Sequence, residues 1–258
     1  MRGKIFKGKK ILITRPEEKS RDFSIQLKAL GARPLVFPLT KIVSPKSFRA
    51  MDRSLRRWEE FDIVIFTSAL AVQFFLSRAK DLSLRLSHPK ILYAIGPQTK
   101  QALQAAGFLK VKMPREFRAE GLLKELKKVK GLKILIPRAK EAREILPQTL
   151  RKRGAHVQVP AAYQVVPQKK YLLRLERMSE KDFDAVVFAS ARSVKEFVKA
   201  LGVLKSRKLF SKVAAVCIGS VTGEALRSFG IKGVQSESPD PAGLIAALKK
   251  VLELDVAE

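Results

Sequence analysis

Lys10-Ile11-Leu12-Ile13-Thr14-Arg15-Pro16 returns further along the chain as Lys133-Ile134-Leu135-Ile136-Pro137-Arg138-Ala139, and what lies behind the first stretch recurs in order behind the second. Gly31-Ala32 returns as Gly154-Ala155, and Phe61-Asp62-Ile63-Val64-Ile65-Phe66-Thr67-Ser68 as Phe183-Asp184-Ala185-Val186-Val187-Phe188-Ala189-Ser190. Ile95-Gly96-Pro97-Gln98-Thr99 returns as Ile218-Gly219-Ser220-Val221-Thr222, and the offset stays at 122 or 123 residues throughout. A duplicated chain predicts two similar lobes that face one another across a cleft, and clefts between domains are where ligand sites tend to lie.

Short β-branched runs alternate with helical patterns in both copies. Strands are predicted near Ile11–Thr14, Ile63–Phe66, Ile91–Ile95, Ile134–Ile136, Ala185–Ala189 and Val213–Ile218. None of these runs alternates with polar residues, so both faces are buried, the condition of a parallel sheet covered by helices. Phe23, Leu27 and Leu30, and again Val72, Phe75 and Leu76, recur at helical spacing between them. The repeated βα pattern calls for doubly wound α/β lobes, with ligands expected outside the carboxyl ends of the strands.

Two proline-punctuated extended segments, 34–45 and 156–167, break the pattern. Proline removes a ladder donor and suits edges and connections, so both segments read as crossovers forming a two-stranded connector. One lobe would then hold residues 1–38 with 167–258 and the other 41–160, exchanging the first strand–helix unit between the copies.

Composition narrows the function. The chain has 258 residues, 46% of them apolar, enough for two ordinary cores. No apolar run is long enough for a membrane span, and the basic start has no apolar signal segment behind it, which reads as a soluble, cytoplasmic protein. Cys217 is the sole cysteine and His88 and His156 the sole histidines, so neither a disulfide nor a cysteine or histidine metal cluster is expected. The net charge of +28 invites an anionic partner, whether nucleic acid, an acidic membrane surface or a polycarboxylate. Many lysines fall in helix-like stretches such as Leu123–Lys133 and Lys195–Lys212, where a solvated face explains them. With no zinc-finger spacing or RNA-recognition signature, nucleic-acid binding rests on charge alone.

Chemistry is expected where strands end. Gly96 with Thr99, and Gly219 with Ser220 and Thr222, lead from strand to helix, where free amides bind anions. Thr67-Ser68, and Ser190 with Ser193, do the same, although ordinary N-capping explains each hydroxyl taken singly. Together the four turns would line a site suited to carboxylates or phosphates. Arg15 and Arg138 follow the first strand of each copy, either as forks for a carboxylate or as surface ion pairs with Glu17 or Glu141. Tyr163 stands in a crossover, where it is either a hydrogen-bond donor or general acid, or an aromatic wedge. Cys217 reads as an inert core residue, and Trp58 and His156 as structural. Gly96-Pro97-Gln98-Thr99 is neither a phosphate-binding loop of the Gly-Lys type nor a dinucleotide fingerprint, so no nucleotide cofactor is indicated.

Over essentially its whole length the chain resembles the uroporphyrinogen-III synthase family. The resemblance is carried by Ile13-Thr14-Arg15-Pro16, Phe66-Thr67-Ser68 with Ala71-Val72, Ile95 to Thr99, Glu120-Gly121-Leu122, Ile136-Pro137-Arg138, Tyr163 to Pro167 and Ile218 to Leu226. It implies two α/β lobes on a two-stranded connector and a cofactor-free reaction, with a monomer expected. The implied substrate is the linear tetrapyrrole hydroxymethylbilane, with an acetate and a propionate on every ring. The implied reaction expels the terminal hydroxyl as water, inverts the last pyrrole ring through a spirocyclic intermediate and closes the macrocycle. The resemblance makes Tyr163 the leading catalytic candidate and Thr222 the second, for substrate positioning. Arg15, Thr67, Ser68, Gly96, Thr99, Arg138, Ser190, Ser193, Gly219 and Ser220 would hold substrate. A non-catalytic protein binding nucleic acid or another polyanion is the alternative.

Overall fold

The computed structural model describes residues 4–252. In chain order the strands are β1 (Lys10–Ile13), β2 (Arg33–Val36), β3 (Thr40–Val43), β4 (Ile63–Phe66), β5 (Ile91–Ala94) and β6 (Lys133–Leu135). They continue with β7 (Arg138–Ala139), β8 (His156–Gln158), β9 (Ala161–Pro167), β10 (Ala185–Phe188), β11 (Ala214–Cys217) and β12 (Val234–Gln235). The helices are α1 (Glu17–Ala29), α2 (Arg49–Arg56), α3 (Ala69–Asp81), α4 (Pro97–Ala105), α5 (Ala119–Glu125) and α6 (Ile145–Lys152). After them come α7 (Lys169–Glu176), α8 (Ala191–Leu201), α9 (Val203–Phe210), α10 (Ser220–Ser228) and α11 (Pro241–Leu252).

The chain divides into two compact lobes, one of Met1–Lys41 with Val166–Glu258 and the other of Ile42–Val165. The first lobe is built on a sheet ordered β12-β11-β10-β1-β2, every neighbour parallel. The second is built on β5-β4-β6-β8, again parallel, with a bridge from Tyr93 to Lys112 standing where β12 stands in the first. Strand for strand the two orders coincide once β1 is matched to β6, β2 to β8, β4 to β10 and β5 to β11. Each sheet therefore mixes the copies: β1 of the first lies on β10 of the second, and β6 of the second on β4 of the first. The chain passes between lobes in β3 and β9, neighbours in a three-stranded sheet β3-β9-β7.

Alternation along the strands explains the burial on both faces. Leu12, Val186, Phe188 and Cys217 pack into one core of the first lobe, while Ile11, Ile13, Val187 and Val216 pack into another on the opposite face. Val64, Phe66, Leu92 and Leu135 repeat this in the second lobe, opposite Ile63, Ile65, Tyr93 and Ile134. Helices α1 and α6 end at Gly31 and Gly154, whose φ of +90° and +83° favours glycine and lets the next amide close back onto the helix, Ala32 on Leu27 and Ala155 on Leu150.

An aspartate locks each mixed pair at the strand start. Asp184 accepts the Lys10 amide at 2.8 Å and returns its own amide to the Lys10 carbonyl at 2.8 Å. Asp62 does the same with Lys133, at 2.9 Å in both directions. Lysines cover the outer oxygens, Lys9 on Asp184 and Lys90 on Asp62.

Three expectations need correction. Segments 34–45 and 156–167 each begin as an edge strand of a lobe sheet, β2 and β8, and only then become the crossovers β3 and β9. The reason is parity. Arg33 and Phe37 donate to Lys9 and Ile13, so Pro34 occupies the alternate position, where its missing N–H faces away from β1. The helical stretch expected over Leu123–Lys133 stops at Glu125, and that over Lys195–Lys212 is broken between α8 and α9 at Gly202, whose φ is +80°. Among the described residues no helix is long and apolar enough to cross a membrane.

The clamp makes stability depend on pH. The Lys90 hydrogen bond, with the Lys133 amide, holds the Asp62 carboxyl below its usual range. A depressed carboxylate contributes stability that is full above the unfolded value of about 4 and is lost as pH falls through the lower folded value. Asp62→Asn should cost about 1–2 kcal/mol at pH 7 by urea unfolding, and the gap to the parent should close as pH falls through the lowered Asp62 value.

Candidate functional site

In the second lobe β4 and β5 end side by side in Thr67-Ser68 and Gly96, and α3 and α4 start there. Thr67, Ser68, Ala69, Gly96, Gln98 and Thr99 line a cavity of about 510 Å³ with Ile95, Pro97 and Phe117. A larger cavity of about 690 Å³ lies between His88–Leu92 and Gly107–Lys112, at the amino end of β5. Parallel sheets place ligands at the carboxyl ends, where free helix amides also point, so the smaller cavity is the candidate.

The two helix starts differ in one decisive respect. Ser68 caps α3, its Oγ accepting the Ala71 amide at 3.2 Å, and Ser190 caps α8 in the first lobe, its Oγ accepting the Ser193 amide at 3.1 Å. At α4 and α10 the capping residues are Gly96 and Gly219, with no side chain to accept. The amides of Gln98 and Thr99 have no acceptor among the described residues, nor do those of Ser220 and Val221, whereas the Thr222 amide donates to the Gly219 carbonyl at 3.1 Å. Free first-turn amides at the positive end of a helix are an anion site.

Folding does not require glycine at these two positions. Gly96 has φ −143° and Gly219 φ 175°, extended conformations open to any residue. A Cβ added at either would meet nothing within 4 Å. By contrast, a Cβ on Gly121 would overlap the Glu116 carbonyl, and one on Gly243 the Ser238 carbonyl, so those glycines are fixed by packing. Serine at 96 or 219 would cap its helix better than glycine does. What glycine provides is clear space in front of the amides. Thr99 and Thr222, at the third position of each helix, are 5% exposed and their hydroxyls make no hydrogen bond within the described residues.

Tyr163 is half-buried in the second lobe, its ring tilted 30° to Phe74 at 5.6 Å between centroids. Its hydroxyl lies 3.4 Å from Ser68 Oγ, which brings it to the rim of the turn that lines the cavity. Its carbonyl accepts the Lys140 amide at 2.9 Å, fixing the strand that carries it.

In the first lobe the expected residues separate into braces and free groups. Ser193 is fully buried; its Oγ donates to the Ser190 carbonyl at 2.7 Å and accepts the Ser190 amide at 3.2 Å, so it braces the turn and is not open to a ligand. Thr14, which the sequence reading gave no role, joins β1 to β10: its hydroxyl donates to the Val187 carbonyl at 3.0 Å and accepts the Ala189 amide at 3.2 Å. A lone hydroxyl ending an apolar strand was the available signal. Ser190 is half-buried and Ser220 exposed.

The arginines diverge as well. Arg15 is half-buried, touches the Pro239 carbonyl at 3.4 Å and has no carboxylate partner among the described residues, so the Glu17 pair does not form. Burial pushes its guanidinium below the usual value. Arg138 is buried and committed to Glu144 and the Arg143 carbonyl, so it is neither a free fork nor the expected surface pair with Glu141. Cys217 is buried in the core, where desolvation raises its thiol pKa, and Trp58 is core as well.

The family model described as uroporphyrinogen-III synthase HemD matches residues 21–246. The uroporphyrinogen-III synthase of Chlorobaculum parvum is 25% identical over 232 residues, covering 87% of this chain and 91% of that protein. A crystal structure of mutant uroporphyrinogen III synthase from the extremely thermophilic bacterium Thermus thermophilus, 24% identical, superposes with a TM-score of 0.79 over 96% of this chain and 100% of that one. The uroporphyrinogen-III synthetase of Helicobacter pylori is 19% identical with a TM-score of 0.55, covering 95% of this chain and 99% of that one. Those two structures establish likeness of fold. Matched along most of its length by the family model, the chain belongs to the uroporphyrinogen-III synthase family, cyclising lyases of porphyrin biosynthesis.

Proposed function

We propose that the open glycine turns of α4 and α10 hold carboxylates of hydroxymethylbilane while Tyr163 assists loss of the terminal hydroxyl. The observation that carries this reading is the pair of capless helix starts, equivalent by duplication, in which folding does not demand the glycine. A substrate with eight carboxylates matches amide sites better than a single charged fork would. Thr99 and Thr222 add one hydroxyl each at the same turns, Thr67, Ser68, Ser190 and Ser220 supply polar lining, and Arg15 supplies a charge without a competing carboxylate.

In this reading the C–O bond at the end of the chain breaks with the electron pair leaving on oxygen. Tyr163 donates a proton or a hydrogen bond to that oxygen, directly or through water, so that it departs as water. The remaining azafulvene-like cation is attacked by the substituted carbon of the terminal pyrrole; the spirocyclic intermediate reopens by breaking that carbon's original bond to its neighbouring methylene, and the inverted ring closes on that methylene through its free α-carbon, whose proton is lost to Tyr163 or to water. Holding a flexible chain folded against fixed dipoles supplies much of the acceleration, so Tyr163 need not be indispensable. Both turns lie in one chain, which supports action as a monomer, and we place the reaction in the cytoplasm. The polyanion-binding alternative is not favoured.

Freshly made hydroxymethylbilane closes spontaneously to the type I isomer, so isomer separation after oxidation tests the reading. The protein should convert the product to type III. Tyr163→Phe should lower kcat by about ten- to a hundredfold, within the range of a positioned proton donor, with little change in KM. Type I product at high concentration of folded protein would end the synthase reading.

Gly96→Ser and Gly219→Ser separate binding from folding. Each should leave the thermal midpoint unchanged or slightly raised, because serine caps the helix. Each should raise KM by about tenfold, because the new hydroxyl takes the amide and fills the approach.

A further inference from the structure

Phe117 lines the cavity beside Thr67, Ser68 and the Gly96–Thr99 turn, and neither the duplication nor anion binding accounts for it. It is 57% exposed, while every other described phenylalanine is buried or half-buried. Exposure here is not the looseness of a free loop. Glu116, immediately before it, holds both Arg118 and Lys124, the Arg118 Nε at 2.9 Å, and the Arg118 amide returns to the Glu116 carbonyl at 2.7 Å. The Arg115 amide is tied to Glu125 at 2.9 Å. Gly121 at the start of α5 packs so closely on the Glu116 carbonyl that a methyl group would overlap it. A braced turn thus presents a large apolar ring to water at the mouth of an anion site.

We infer that Phe117 is a substrate-binding side chain that lies against the face of one pyrrole ring, while the amides of Gln98 and Thr99 take an acid side chain of the substrate. The inference rests on the synthase reading of the same cavity. Pyrrole is flat and aromatic, and an exposed aromatic face binds such rings by stacking, with little loss of conformational freedom for the protein. Acid side chains flanking a flat ring need what this cavity combines: free amides for the charge and an aromatic surface for the ring. The aliphatic lining residues Ile95 and Pro97 supply apolar area but no aromatic face.

The test compares Phe117→Ala, Phe117→Leu and Phe117→Trp with the parent, using initial rates on hydroxymethylbilane and isomer separation. The ring is exposed, so all three should keep the parental thermal midpoint. Phe117→Ala should raise KM by about tenfold with kcat within about twofold, the mark of lost substrate binding. Phe117→Trp should restore KM and Phe117→Leu should not, since leucine keeps apolar area and loses the flat face. An unchanged KM in Phe117→Ala, or full restoration by leucine, overturns the assignment. The parent is the control for the underlying reading: if it forms only the type I isomer, the synthase assignment fails, whereas type III from the parent with an unaffected Phe117→Ala variant defeats the Phe117 assignment alone.

Discussion

The parallel pairing of β1 with β10, and of β6 with β4, is the constraint on which the molecule depends. Each pair joins a strand of one copy to a strand of the other, so neither lobe is complete until both halves of the chain exist. Asp184 and Asp62 fix the register at the strand starts by exchanging hydrogen bonds with Lys10 and Lys133. The crossing strands β3 and β9 follow from that exchange, since the chain must leave the first sheet after β2 and return before β10. Parallel sheets in turn bring all strand ends of a lobe to one edge, where the helix amides begin.

At that edge the protein uses two solutions to one problem. After β4 and β10 a serine satisfies the helix start, which is the choice that favours stability. After β5 and β11 a glycine stands at the helix cap with no side chain to accept, a local choice against stability made twice, at equivalent positions. Neither backbone angle nor packing explains it, and the carboxylates of the proposed substrate would supply acceptors there. Departures from local optimum that fold consistency cannot justify are where function is expected.

Much of this was legible in the residues. Central strands such as Ile63–Phe66 and Ala185–Phe188 are apolar at every position and can sit only in the middle of a covered sheet, while the expected exchange of the first strand–helix unit rested on the proline-punctuated segments read as crossovers. The proline-rich segments were half misread because proline is tolerated or forbidden in an edge strand according to which neighbour its nitrogen faces, a parity that sequence does not reveal. Ser193 and Arg138 carry no mark of burial in the sequence, and only the structure shows Ser193 Oγ spent on Ser190 and the Arg138 guanidinium paired with Glu144 and the Arg143 carbonyl. The turns of Gly96 and Gly219 were visible as candidates, but their difference from the Ser68 and Ser190 turns emerges only when each amide is followed to its acceptor. Phe117 gave no signal, because one phenylalanine among fifteen looks like core until its exposure is known.

The central claim is that the capless turns receive the acid groups of the substrate. The most direct measurement is amide nitrogen–proton correlation spectroscopy of the protein titrated with uroporphyrinogen III kept reduced. The account predicts saturable shifts at Gln98, Thr99, Ser220 and Val221, sharply weakened at the first two by Gly96→Ser and at the last two by Gly219→Ser. Binding with those four amides unmoved would contradict it.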